Sequence, residues 1–206
     1  DQVWVADSRL GFVVQLDHDG TPLSQVGKDV LVRPTGLAID QEKEELYVAD
    51  TARSQIRVFD LHGQLLRSFG ERGEADGQLN GPTFLAFRND RLYVSDTLNA
   101  RVQVFDSEGV WQGTIGKRGL YLGDFTRPKG VAVDQDENVY VVESFYDYLL
   151  IFNRQREFLL PVGGSGHQPG QFYLPSGVWV DHNQHVYVAD MFNGRIEVFQ
   201  RLMDIQ

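Results

Sequence analysis

The sequence has no cysteine among its 206 residues. This absence excludes disulfide bonds, thiolate metal sites, a cysteine nucleophile and covalent haem attachment. Long apolar runs are also missing: a helix that spans a bilayer needs about 18 consecutive apolar residues, and none occurs. The chain begins with Asp1 rather than methionine and shows no signal segment, so we expect its first residue not to be the translated one.

Basic residues are outnumbered by acidic ones. The chain carries 19 Lys and Arg against 29 Asp and Glu, which gives a formal net charge of -10. An acidic protein is repelled by phosphate groups, and this argues against nucleic acids and anionic membranes as partners. The hydrophobic fraction of 42% and the aromatic fraction of 12% are those of a folded globular protein.

One short phrase recurs in phase along the chain. Its five copies are VWVAD at 3–7, LYVAD at 46–50, LYVSD at 92–96, VYVVE at 139–143 and VYVAD at 186–190. The acids that close the copies recur with a period of about 46 residues, and a fixed period of this length is typical of repeat architectures.

Three further kinds of segment share this period. The segments before the phrase are PTGLAID at 34–40, PTFLAFR at 82–88, PKGVAVD at 128–134 and PSGVWVD at 175–181. The segments after it are FVVQLD at 12–17, IRVFD at 56–60, VQVFD at 102–106, LLIFN at 149–153 and IEVF at 196–199. A last kind ends in glycine, in PLSQVG at 22–27, QLLRSFG at 64–70, VWQGTIG at 110–116 and EFLLPVG at 157–163.

These segments predict an all-β fold. Each is short, rich in Val, Ile, Leu, Phe and Tyr, and bounded by Gly, Pro, Asp or Asn, which is the pattern of a strand. Four strands per repeat, here named a to d in chain order, predict a β-propeller of four-stranded blades. We expect a single propeller domain over 1–206 with five partial or full blades, in units of about 1–30, 31–78, 79–125, 126–172 and 173–206. The first unit lacks strand a and the last lacks strand d, so we expect an arc of a larger ring.

The residues that follow strand b carry a family resemblance. The segments DTLNARVQVF (96–105) and DMFNGRIEVF (190–199) resemble the NHL motif, in which an acid, an Asn and an Arg precede a strand. The match is looser in DTARSQIRVF (50–59) and fails in DSRLGFVVQL (7–16) and ESFYDYLLIF (143–152). The resemblance implies a six-bladed ring, and it is strongest to bacterial extracytoplasmic NHL propellers. Some of these occur alongside multihaem cytochromes, which suggests a cytochrome as one possible partner.

Residues repeated in every blade are expected to hold the blade. The Asp and Asn of the motif can satisfy amides of turns, and the Arg can bridge to a neighbouring blade. The apolar residues Leu79, Phe125 and Phe172, each three before the proline of strand a, are expected in the core.

Function is therefore expected where the repeats differ, on loops held by the rigid scaffold. The fourth unit replaces the Asn and Arg of the motif by Tyr146 and Tyr148 and adds Phe145. With Tyr121 and Phe192, these rings are predicted to form a partner-binding patch, because tyrosine combines a large contact area with a polar group. The alternative is that the rings fill a gap left by the lost arginine.

Lys129 is the one charged residue among those that follow the proline of strand a, the others being Thr35, Thr83 and Ser176. We expect these four to surround the mouth of the axial channel, where Lys129 would attract an anion or a partner.

Two other classes of function remain as alternatives. A metal-dependent hydrolase or lyase would use the axial channel, but His182 and His185 lie in an a–b turn and no third ligand accompanies them. Asp134, Asp136 and Asn138 resemble the start of a calcium loop but are expected to form a turn, since the glycine and closing glutamate of that loop are missing. An RNA-binding face would need clustered basic residues, and here acids interleave with them. The sequence thus predicts a non-enzymatic scaffold for a protein partner, without catalytic residues, cofactor or metal, and the family resemblance implies a location outside the cytoplasm.

Overall fold

The computed structural model describes residues 2–201. Within that range eighteen strands form five antiparallel sheets, and the strands of each sheet follow one another in chain order. Two single turns of 3-10 helix, Thr97–Asn99 and Met191–Asn193, are the helical elements of the same range. The all-β propeller fold predicted from the repeats is confirmed.

The first two sheets hold seven strands. The first sheet comprises β1 (Val3–Asp7), β2 (Phe12–Leu16) and β3 (Pro22–Val26). The second comprises β4 (Pro34–Asp40), β5 (Glu45–Asp50), β6 (Gln55–Asp60) and β7 (Leu65–Phe69).

The remaining sheets hold eleven strands. The third comprises β8 (Pro82–Arg88), β9 (Arg91–Asp96), β10 (Arg101–Asp106) and β11 (Trp111–Ile115). The fourth comprises β12 (Pro128–Val133), β13 (Val139–Glu143), β14 (Tyr148–Phe152) and β15 (Phe158–Gly163). The fifth comprises β16 (Gly177–Val180), β17 (His185–Asp190) and β18 (Arg195–Gln200).

The hairpin turns are closed by acidic side chains. Between β6 and β7, Oδ1 of Asp60 accepts the backbone N–H groups of His62 at 3.0 Å and Gln64 at 2.8 Å. Asp134 does the same between β12 and β13, accepting from the N–H groups of Asp136 and Asn138. These bonds fix the turn without help from the sheet, and they confirm that Asp134 belongs to a turn.

The core lies between successive sheets. Leu79 is fully buried in a cluster that contains Ile56 of the second sheet and Val94 of the third. Phe172 is fully buried between Leu149 of the fourth sheet and Val188 of the fifth. Phe125 is fully buried as well, so the predicted core role of all three loop residues is confirmed.

Glycine permits close approach of the first strands of neighbouring sheets. A Cβ on Gly36 of β4 would lie 2.5 Å from the carbonyl oxygen of Thr83 in β8. A Cβ on Gly130 of β12 would lie 2.6 Å from the backbone nitrogen of Val178 in β16. Such distances exclude a side chain, because the obstacle in each case is backbone.

A buried charge network ties β5 to β7. Arg67 donates from two nitrogens to the two carboxylate oxygens of Glu45, each at 2.6 Å, and to the carbonyl oxygen of Ser107. Tyr47 also donates to Glu45, at 2.9 Å. The hydrogen bonds from Arg67 lower the pKa of Glu45, and the carboxylate is the form that this network holds.

The chain divides into two compact units. One comprises the residues up to Asn99 together with Gln103–Gly113, and the other comprises Ala100–Val102 and the residues from Thr114 onward. Over the part of the chain that the structure describes, no helix has the length and apolar character needed to cross a membrane.

Candidate functional site

Three of the loops that join strand d of one sheet to strand a of the next, 70–82, 116–128 and 163–175, share a backbone hydrogen-bond pattern. In the loop 163–175, the N–H of Gly166 donates to the carbonyl of Phe172 at 2.9 Å, and the N–H of Phe172 to that of Gly164 at 2.9 Å. In the loop 116–128, the N–H of Gly119 donates to Phe125 at 3.2 Å and that of Phe125 to Lys117 at 2.8 Å. The two loops can therefore be compared residue by residue.

The acid that ends strand b fastens the loop in front of its own sheet. Oδ1 of Asp190 accepts the backbone N–H of Tyr173 at 2.7 Å. Oε2 of Glu143 accepts the N–H groups of Thr126 and Arg127, both at 2.8 Å. Both carboxylates are buried, so the repeated acid has a structural role.

In the fifth sheet, Asn193 and Arg195 complete this attachment. Asn193 donates to the carbonyl of Gly166 at 2.9 Å and to Asp190 at 2.7 Å. Arg195 donates from Nε to Asp190 at 2.9 Å. Its remaining nitrogens donate to carbonyl oxygens of the loop 163–175, those of His167 at 3.0 Å, Gln168 at 2.8 Å and Gln171 at 2.9 Å. The motif residues of this repeat thus have a structural role, as predicted, but Asn193 acts as a donor and Arg195 holds the loop 163–175.

The fourth unit has a tyrosine at each of these two positions. Tyr146 stands where the motif has Asn, and Tyr148 where it has Arg. A pocket of about 210 Å³ opens beside them, and its lining includes Leu120, Tyr121 and Glu143. The structure therefore brings together three of the predicted patch residues, Tyr121, Tyr146 and Tyr148, and the rings leave space beside them.

The rim of this fourth-repeat pocket is apolar and exposed. Tyr121 is 85% exposed and Leu120 80% exposed, and Leu122 beside them is exposed as well. Phe145 is exposed and meets the ring of Tyr146 edge-on, with 4.9 Å between the centroids. These side chains, Leu120, Tyr121, Leu122, Phe145 and Tyr146, are referred to below as the aromatic patch.

The loop that carries Phe145 and Tyr146 is anchored from below. Asp147 has a left-handed backbone with φ of 60°. Its carboxylate accepts the backbone N–H of Leu174 at 2.7 Å and the hydroxyl of Ser165 at 2.5 Å. The guanidinium carbon of Arg127 lies 5.9 Å from the centre of the Phe145 ring, within the range of a cation–π contact. The exposed rings therefore stand on a fixed support.

Phe192 lies in a separate ring cluster. Its ring is 5.5 Å from that of Tyr173, which in turn lies 5.6 Å from the ring of His167. The backbone N–H of Phe192 also donates to the carbonyl of Tyr173. The predicted role of Phe192 in partner binding stays a prediction, and its ring contacts are with Tyr173.

Lys129 lies on β12 and is half-buried. Burial lowers its pKa, and the nearby charge of Arg127 lowers it further. Both effects disfavour the ammonium form. The role of Lys129 in attracting an anion or partner stays a prediction.

The histidines of the a–b turn between β16 and β17 are used in turn structure. Nδ1 of His185 lies 2.9 Å from Asp181, and the carbonyl of His182 accepts from Gln135 at 2.9 Å. Among residues 2–201, one group of three potential metal ligands is close enough to share an ion, Asp17, His18 and Asp19, in the turn between β2 and β3. Asp17 uses one of its carboxylate oxygens to accept two N–H groups of that turn.

Leu120, Leu122 and Asp147 are candidate site residues that were not predicted from the sequence. The signal was present in the loop 116–128, where Leu120 and Leu122 replace the His167 and Pro169 of the next loop. Two aliphatic residues at the tip of a polar, glycine-rich loop have no core to fill, and this departure marks the surface that the structure shows.

Comparisons with known proteins agree with this architecture. Residues 75–147 match DUF5128, described as a six-bladed β-propeller, and residues 31–59 match the NHL repeat. The E3 ubiquitin-protein ligase NHLRC1 of Homo sapiens is 33% identical over 64 residues, which are 31% of this chain and 16% of the ligase. The matched segment is thus a small part of that relative.

Solved structures share the fold at low sequence identity. A protein of unknown function from Bacteroides thetaiotaomicron has a TM-score of 0.76 at 18% identity, over 97% of this chain and 56% of its own. A chain of a nidogen/laminin complex has a TM-score of 0.71 at 16% identity, over 97% of this chain and 76% of its own. A streptogramin B lyase has a TM-score of 0.70 at 11% identity, over 98% of this chain and 66% of its own. This chain spans about half the length of the Bacteroides protein, and these likenesses show the fold alone.

Over residues 31–59 and 75–147 the chain is thus similar to the NHL repeat and to a six-bladed β-propeller family, which agrees with its all-β propeller fold.

Proposed function

We propose that the chain is a non-enzymatic scaffold that binds a protein partner through the aromatic patch. The observation that carries this proposal is the exposure of Tyr121 and Leu120 at the rim of the fourth-repeat pocket. Exposed apolar side chains that cluster around a depression are typical of protein–protein contact sites, and tyrosine is enriched at the residues that dominate binding.

Hydrogen bonds beneath the aromatic patch hold its loops in place, which supports a role in binding. Glu143 fastens the loop 116–128 by its two backbone hydrogen bonds, and Asp147 fixes the loop that carries Tyr146. A surface held in one conformation loses less conformational entropy when a partner binds. The patch is thus a preorganised site.

The wider class and location follow from the family resemblance. The likeness to bacterial extracytoplasmic NHL propellers supports a location outside the cytoplasm, with a multihaem cytochrome as one partner to test. The nidogen/laminin complex, an assembly of proteins that includes this fold, also supports a protein as the ligand.

Site-specific photocrosslinking tests the proposal. A benzophenone amino acid is introduced at Tyr121, and in a control variant at Leu10, an exposed apolar residue of the first unit. Both variants are expressed in the native host, and crosslinked proteins are identified by mass spectrometry. We expect a defined protein adduct from position 121 that is missing from position 10. Equal adducts from both positions, or none from either, would rule out the patch.

A further inference from the structure

The fourth-repeat pocket corresponds to a space that an arginine fills one repeat later. Arg195 places its guanidinium against the carbonyls of His167, Gln168 and Gln171 and the carboxylate of Asp190. The residues at the same positions of the preceding repeat are Leu120, Tyr121, Asp124 and Glu143. All four line the pocket.

The backbone of the loop 116–128 presents its carbonyls in the same way. The N–H of Asp124 donates to the carbonyl of Tyr121 at 2.9 Å, as that of Gln171 donates to Gln168 at 3.0 Å. An acid or amide side chain completes each turn, since Asp124 accepts from the N–H of Tyr121 and Gln171 from that of Gln168. The loop carbonyls and the buried acid that hold a guanidinium in one repeat therefore recur in the other, whereas Glu197, whose carboxylate lies 2.9 Å from Nη2 of Arg195, is replaced by Leu150.

Tyr148 stands at the position of Arg195 and forms a wall of the pocket. A Cβ added to Gly164 would lie 3.6 Å from Cε1 of Tyr148, so the ring runs beside the start of the following loop. Among the residues that the structure describes, no donor reaches the carbonyls of Leu120 and Asp124, and no Lys or Arg pairs with Glu143. The hydrogen-bond acceptors that correspond to those of Arg195 are therefore present in this repeat, but the arginine is not.

We infer that this pocket accepts an arginine side chain of the protein partner, in the place that Arg195 takes in the fifth sheet. The inference rests on the proposed function and names the group that is recognised. A planar guanidinium matches several acceptors at fixed positions, as that of Arg195 does through four hydrogen bonds in the next repeat. The rings of Tyr146 and Tyr148 add aromatic surface for the cation.

Size and charge agree with one side chain as the occupant. The pocket volume of about 210 Å³ lies below the roughly 300–1,000 Å³ typical of sites for drug-sized ligands. Its lining contains two acids, Asp124 and Glu143, and no basic residue. The chain as a whole carries a formal charge of -10, which attracts a basic partner surface.

A peptide titration on the unaltered protein tests the pocket directly. The probes are a blocked Gly-Gly-Arg-Gly-Gly peptide and its citrulline counterpart, which has nearly the same shape without the charge. Backbone amide signals of Gly119, Gly123 and Asp124 are followed by NMR. We expect saturable shifts with the arginine peptide, with a dissociation constant on the order of millimolar because one side chain has few atoms, and at least tenfold weaker binding of the citrulline peptide. Equal responses, or none, would overturn the inference.

The substitution Tyr148→Arg places an arginine of the chain itself at the position equivalent to Arg195, where it should fill the pocket. Tyr148→Phe is its matched control. We expect Y148R to abolish the shifts caused by the arginine peptide and to lower the affinity for the crosslinked partner at least tenfold, while Y148F retains both. If Y148R leaves partner affinity unchanged whereas Leu120→Ser weakens it, the arginine site is wrong and the proposed function stands. If neither substitution changes partner affinity, the proposed function fails with it.

Discussion

Arg195 and Tyr148 hold the same position in successive repeats, yet only Arg195 clamps a loop. Arg195 contacts Asp190 and the carbonyls of three residues in the loop 163–175. Tyr148 lies beside a pocket lined by the equivalent residues of the loop 116–128. The loop clamp of Arg195 and the pocket beside Tyr148 are thus two versions of one local structure. Substitutions at these positions can test the difference between them.

Removal of the clamp should destabilise the fifth unit. Arg195→Ala deprives the buried carboxylate of Asp190 of its cation and removes the guanidinium donors to three loop carbonyls. We expect a loss of about 2–3 kcal/mol in the free energy of unfolding, measured by urea denaturation. Arg154→Ala is the control: Arg154 is 66% exposed and contacts Glu137 at 4.0 Å, so its removal should cost less than about 0.5 kcal/mol. Equal losses in the two variants would contradict the clamp.

Two equivalent glycines should respond differently to alanine. The Cβ of Gly130→Ala would lie 2.6 Å from the backbone nitrogen of Val178, so we expect a loss of about 1–3 kcal/mol. The Cβ of Gly177→Ala would lie 3.6 Å from the Cβ of Ala189, an ordinary contact. That variant should be neutral or slightly more stable, because alanine restricts the unfolded chain. Thermal unfolding of the two variants measures this difference. A destabilised G177A together with a neutral G130A would contradict the packing described for these strands.

The buried acids at the end of strand b should be needed for loop attachment. Asp50 is fully buried and accepts the N–H groups of Val32 at 3.1 Å and Arg33 at 2.9 Å. Asp50→Ala leaves both donors without that acceptor, and we expect a loss of about 2–3 kcal/mol. Hydrogen exchange should accelerate at the amides of Val32 and Arg33. The exposed Asp19→Ala serves as the control, and unchanged exchange in D50A would show that the carboxylate does not hold this loop.

Acid should weaken the network of Glu45 and Arg67. The pKa of Glu45 is lower in the folded chain than in the unfolded chain because Arg67 donates to its carboxylate. Such a group stabilises the fold above its unfolded pKa, which is about 4.3 for glutamate. This contribution is lost as the pH falls through the folded pKa.

The variant Glu45→Gln measures that contribution. Urea denaturation at pH 7 should find the unaltered protein more stable than E45Q, with a difference that shrinks as the pH falls below about 4. A difference that is constant from pH 7 to pH 3 would mean that ionisation of Glu45 is not what the network stabilises.

The sequence predicted the strands closely because their signals are local. β4 (Pro34–Asp40) and β8 (Pro82–Arg88) run over the segments that the period and the leading proline marked. The buried positions of Leu79, Phe125 and Phe172 also followed from the repeat, since a position that is apolar in each d–a loop faces the same packing in each blade.

The candidate site was harder to predict from the sequence than the strands were. That Tyr146 and Tyr148 depart from the motif is visible in the sequence, but the pocket depends on where the ring of Tyr148 runs, which packing beside Gly164 decides. The pairing of Phe192 with Tyr173 depends on how a b–c loop meets a d–a loop. Contacts of this kind join residues that share no pattern in the sequence.

The affinity of the crosslinked partner for a doubly substituted patch tests the central claim most directly. Tyr121→Ala combined with Tyr146→Ala removes the two tyrosine rings of the aromatic patch, and Leu10→Ser is the matched control on the first unit. By isothermal titration calorimetry, we expect the double variant to bind at least tenfold more weakly, a loss of about 1.4 kcal/mol or more, and the control to bind as the unaltered protein does. Undiminished affinity in the double variant, with its fold intact by circular dichroism, would contradict a binding site on the fourth unit.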